Sequence, residues 1–235
     1  MNTNEIYMRT YSADKLCTRD ELKDIFETEL GGAVEFDEDD ATVVRVYPSA
    51  RKQACFQITV TLGTYGNTFA IAIVNPAGNN IGTRTLSPTS GNPQQSIYYI
   101  KFPSGDFLFG ISVHAAAAAS SSINFRFACA TGKNIYDEEE LSDVVYLAPA
   151  SSTATRYFAD AKTTYSVAMQ ALTNASDYIQ LAPLITDGGY VCENVYKQTH
   201  GRRYTHAKFV INDEEYYMDD SVNITSGAPS FLYKM

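Results

Sequence analysis

The chain has 235 residues, 45 % apolar and 19 % charged, proportions that fit a folded protein with a real core and exclude a disordered one. Its net charge of −9 leaves no basic surface of the kind on which nucleic-acid affinity depends, so no direct nucleic-acid contact is expected. No apolar stretch is long enough to span a membrane, and "MNTNEIYMRTYS" has no apolar signal core, which predicts folding in a reducing cytoplasm.

Residues 1–32 read as an arm followed by one short amphipathic helix. Leu16, Leu22, Ile25, Phe26 and Leu30 recur at near-helical spacing, Thr18 and Glu21 form a capping box, and Gly31-Gly32 stops the helix near residue 30. Such a helix either packs on its own sheet or offers Leu22, Ile25 and Phe26 to a partner, and these three are candidate interaction residues.

From Ala33 the period changes to two. Strands are predicted at 33–36, 41–47, 54–62, 68–74, 96–102, 107–114 and 122–129, separated by Pro/Gly/Asn-rich turns. Phe69, Ile71, Phe107, Phe109, Ile111, Phe125 and Phe127 are the predicted core, and the small-residue run at 115–122 is predicted to be a loop. This pattern predicts an antiparallel β-sandwich or jelly-roll-like module over 33–132. Residues 133–145 are acidic and turn-prone, and they read as a linker. Their Asp137, Glu138, Glu139 and Glu140 lack the turning spacing of a calcium cage. A second β-rich module follows over 146–235, with "VINDEEYYM" as a tight hairpin. The predicted fold class is therefore mainly β, two antiparallel modules behind a short N-terminal helix.

Chemistry-bearing residues are sparse. Cys17, Cys55, Cys129 and Cys192 form no CxxC pair, and Cys55 and Cys129 lie in apolar strand patterns that suit buried thiols, although a disulfide between those strands stays open. His200 and His206 flank a Gly-Arg-Arg turn but lack a third ligand, while His114 stands apart, so no metal site is expected. Asp219 and Asp220 are adjacent carboxylates, yet no nucleophile elbow, phosphate loop or dinucleotide fingerprint accompanies them. No catalytic residue and no cofactor is predicted. The one basic cluster, 197–208, makes Arg202 and Arg203 further candidate interaction residues.

One stretch, "YIQLAPLITDGGYVCENVYKQTHGRRYTHAKFVINDEEYYMDD", resembles the terminal segment of virion proteins of tailed phages and prophages of Firmicutes-type gut bacteria. The matching positions run from Pro183, Leu184, Ile185 and Thr186 through Gly189, Tyr190, Asn194, Val195 and Tyr196 to Lys208, Phe209, Ile211, Asn212 and Tyr216. The resemblance implies a non-enzymatic head, neck or tail component, located in the virion after assembly in the host cytoplasm. Its partners would be copies of itself and other virion proteins. The alternative expectation is a carbohydrate- or receptor-binding β module of adhesin or tail-fibre type. In that case glycan would stack on Tyr47, Tyr65, Tyr98 or Tyr99.

Overall fold

A computed structural model describes residues 7–11, 17–63, 66–87, 93–115, 123–149, 155–168, 180–200, 208–219 and 231–235. The protein is mainly β, built from antiparallel sheets with one short N-terminal helix. The arm contributes β1 (Tyr7–Tyr11), and α1 spans Arg19–Asp24, continuing as a π-helical turn over Ile25–Leu30. A five-stranded sheet then forms from β2 (Ala33–Phe36), β3 (Val43–Tyr47), β4 (Cys55–Gly63), β5 (Gly66–Val74) and β6 (Asn80–Leu86) in sequential order.

The rest of the chain builds a second, larger sheet. It opens with β7 (Pro93–Lys101), β8 (Phe107–Ala115), β9 (Ile123–Asn134), β10 (Leu141–Pro149), β11 (Thr155–Ala159) and β12 (Thr164–Ala168). It ends with β13 (Gln180–Ile185), β14 (Tyr190–His200), β15 (Lys208–Ile211), β16 (Glu214–Asp219) and β17 (Phe231–Lys234). Along this sheet the order is β1-β7-β8-β9-β14-β17-β16-β15, with β10, β11 and β12 continuing from the other edge of β9 and β13 flanking β14.

The strand β9 is the branch point. It pairs with β10 along nine residue pairs on one edge. On the other edge it pairs first with β8, up to Phe107 opposite Cys129, and then with β14, from Lys133 opposite Val191. The strands from β7 to β12 thus form a central layer, and β13 to β17 fold back over it as an outer layer. The acidic stretch 133–145, expected to be a linker, is instead the hairpin between β9 and β10. Its Asp137 side chain accepts the Glu139 N–H at 3.1 Å, and the Asn134 N–H donates to the Glu140 carbonyl at 2.9 Å, so the turn is ordered by its own polar groups.

Two large cores follow from strand alternation, beside a smaller cluster of Tyr216, Met218 and Leu232. Successive side chains point to opposite faces of a strand, so a strand between two layers must be apolar on both faces. In β8, Phe107, Phe109 and Ile111 join the core against the five-stranded sheet, while Leu108 joins the core against the outer layer. In β10, Val145 and Leu147 take the first side, and Val144 and Tyr146 take the second. Of the predicted core, Phe69, Ile71, Phe107, Phe109 and Ile111 are fully buried. Phe125 and Phe127 lie in β9, opposite Ile111 and Phe109, and their side chains fall outside the description, as does the run 116–122.

The helix is where the spacing placed it. The Thr18 hydroxyl accepts the Glu21 N–H at 3.2 Å, and the Glu21 carboxylate accepts the Thr18 N–H at 2.8 Å. Gly31, at φ 75°, ends it in the left-handed conformation, and the Gly32 N–H closes on the Phe26 carbonyl at 2.8 Å.

Candidate functional site

Leu22, Ile25 and Phe26 are completely buried. Their face of the helix packs into the first core, with the Phe26 ring 4.6 Å from that of Phe109 and 5.9 Å from that of Phe107. The expectation that they meet a partner is therefore corrected. The helix packs against β2 of the five-stranded sheet and against β7 and β8 of the larger one. Arg202, Arg203, His206, Asp220 and Tyr65 lie outside the described residues. His114, His200 and Asp219 sit on β8, β14 and β16, with only their backbones described. Of the candidate stacking aromatics, Tyr99 is buried in the first core and Tyr98 packs against the second, which leaves Tyr47 half-buried.

All four cysteines are free and buried. Burial pushes the Cys55 thiol up to about 12 and raises the Cys129 and Cys192 thiols well above the ordinary thiol value, so these three remain protonated, and weak nucleophiles, at neutral pH. Cys55 lines a groove of about 290 Å³ with Arg45, Tyr47 and Lys52. Both cations of this groove are already engaged, Arg45 by Asp37 at 2.6 Å and Lys52 by Glu35.

The buried acids act as joints. Asp143 on β10 accepts from the Ser49 hydroxyl at 2.7 Å and from the Arg51 guanidinium at 2.9 and 3.1 Å. Its own N–H donates to the Gln53 amide oxygen at 3.1 Å. This clasp holds the loop between β3 and β4 to the central layer. Asp160 accepts the N–H groups of Lys162 and Thr163 at 2.8 Å and of Gly188 at 3.1 Å, tying the β11–β12 turn to the β13–β14 turn. Buried carboxylates with this many donors are held in one rigid position, which suits a scaffold.

Two surface features remain. A groove of about 300 Å³ beside β12 and β13 is lined by Phe158, Tyr165, Val167, Leu184, Asp187 and Lys197. The other is the β15 edge of the outer layer. The strand β15 pairs with β16 alone among the described residues, joined by a two-residue turn with Asn212 at φ 51° and Asp213 at φ 64°. Those angles make a type I′ turn, the hairpin read from "VINDEEYYM". In an antiparallel ladder alternate residues bond to each neighbour. Counting from this turn, Ile211 and Phe209 bond inward to β16, and Val210 and Lys208 aim their N–H and C=O groups outward. The Val210 side chain is 70 % exposed at the same place. The sequence signalled the hairpin but not its edge position, because the strand order depends on β17 inserting between β14 and β16.

No family model matches the chain, and neither a curated protein nor a solved structure matches it.

Proposed function

We propose that this chain is a non-enzymatic structural protein that assembles with copies of itself or with neighbouring virion proteins. The observation that carries the reading is the edge at β15, open among the described residues, where outward backbone groups and the exposed Val210 coincide. An uncovered edge strand is a template for another strand, and soluble proteins that stay monomeric blunt such edges. Around a twofold axis, Val210 of one copy lies opposite the partner's Val210, and Lys208 falls beside the partner's Asn212–Asp213 turn, a pairing of opposite charges. A four-residue edge buries little area, so a single contact is weak and gains strength from repetition in a symmetric particle. The virion setting rests on the sequence resemblance of the C-terminal stretch.

Sedimentation velocity over a concentration series tests the reading, with Val210→Lys as the edge-blocking variant. The wild type should associate as concentration rises, and the variant should stay monomeric with an unchanged melting temperature. A wild type that stays monomeric at every concentration and joins no particle would overturn it. The second reading, a glycan-binding module, is favoured by the groove beside Tyr165, where an aromatic wall meets an acid and a base. Binding on a glycan array that Tyr165→Ala abolishes would put that reading first.

A further inference from the structure

Asp106 closes the hairpin between β7 and β8, and only 4 % of its surface is exposed. It stands where β9 passes from one neighbour to the next. Ladder contact with β8 ends at Cys129 and contact with β14 begins at Lys133, so the Thr131 N–H between them has no strand to meet. The Asp106 carboxyl takes that place, with Oδ1 accepting the Thr131 N–H at 3.1 Å. The side chain thus fills the notch at which the outer layer leaves the central one.

The polar company is thin. The Ser104 and Asn194 side chains approach the carboxyl, but among the described residues Oδ2 has no partner within hydrogen-bond geometry. The groups facing it from the packed elements are the Cys129 thiol of β9 and the Cys192 thiol of β14, both uncharged at neutral pH. One charged pair, Arg51–Asp143, lies beside Thr131. Arg51 reaches the Thr131 hydroxyl at 3.2 Å, but its charge is already matched by Asp143. Burial dominates over these weak donors and raises the carboxyl above the usual carboxylate range.

We propose that Asp106 is a pH-sensitive latch between the central and outer layers, closed when its carboxyl is neutral and loosened when it ionises. A neutral acid accepts from Thr131 and carries no buried charge. The carboxylate form leaves a charge in the notch with Thr131 as its firm donor and, among the described residues, no cation paired to it. The direction is set by linkage. The folded protein holds the proton to a higher pH than the unfolded chain does, so the latch's contribution is full in acid and is lost as pH rises through the folded value. The strands that respond are β14 and those behind it, since Asn194 and Cys192 share the notch.

Hydrogen exchange of the full chain between pH 4.5 and 8, corrected for intrinsic rates, tests the latch beside the Asp106→Asn variant. Asparagine keeps the acceptor for Thr131 and cannot ionise. In the wild type, protection over 190–195 should fall progressively as pH rises across this range. In Asp106→Asn it should stay at the acid-state level throughout. Equal pH slopes in the two proteins would overturn the proposal. The Asp106 carboxyl carbon can also be followed directly by NMR in the wild type, whether or not the variant folds. A midpoint above that of an exposed aspartate is expected, and a midpoint at or below it would equally overturn the latch.

Discussion

Truncating Phe26 to alanine tests the assignment of the N-terminal helix to the interior. The ring is fully buried, lies 4.6 Å from Phe109 at a tilt of 36°, and also touches Phe107. Removing a buried phenylalanine costs about 3–5 kcal/mol, which includes the cavity it leaves. The cost should fall in the upper half of that range, because both neighbouring rings belong to β8, which is fixed by ladders to β7 and β9 and cannot collapse onto the gap. Urea denaturation of the wild type and of Phe26→Ala gives the difference in unfolding free energy. A double-mutant cycle with Phe109→Ala isolates the ring pair, for which a coupling of about 0.5–1.5 kcal/mol is expected. A loss below about 1 kcal/mol for Phe26→Ala would place the helix outside the core and refute the packing. By the same reasoning, deletion of residues 1–30 should abolish folding, since it removes Leu22, Ile25, Phe26 and Leu30 from the first core.

Gly82 sits at φ 74°, and a Cβ there would lie 2.4 Å from the Tyr157 ring, so Gly82→Ala should destabilise by about 1–3 kcal/mol in thermal or urea unfolding. In a Tyr157→Ala background the steric part of that cost should vanish while the backbone part stays. Arg51→Ala should cost about 2–4 kcal/mol, less than for a wholly buried pair because Arg51 is itself 35 % exposed, and high salt should recover little of it. Iodoacetamide at pH 8 should leave all four cysteines of the folded protein unmodified and label them once urea unfolds it, as mass spectrometry would show.

Local structure was legible where a residue's neighbours in sequence decide its state. The capping box, the glycine stop, the strand at 33–36 and the Asn-Asp hairpin all belong here. The polar edge strand β6 was missed because "NIGTRTL" buries mainly Leu86 and shows no clean alternation. The role of β9 was hidden for a different reason. Nothing in "INFRFACATGKN" marks a strand that serves two neighbours on one edge, since that depends on where β14 returns from some sixty residues later. Periodicity also marked Leu22, Ile25 and Phe26 as an apolar stripe without saying what covers it. The candidate features at β15 and Asp106 share this limit. An exposed valine and a buried turn aspartate look ordinary in sequence, and both acquire their character from the order of the strands.

Electron microscopy of the full-length protein at high concentration tests the assembly reading most directly. Discrete, repeating particles such as rings, tubes or symmetric oligomers are predicted, and they should be absent from Val210→Lys at the same concentration. A field of monomers at every concentration, with no incorporation into any particle, would contradict it.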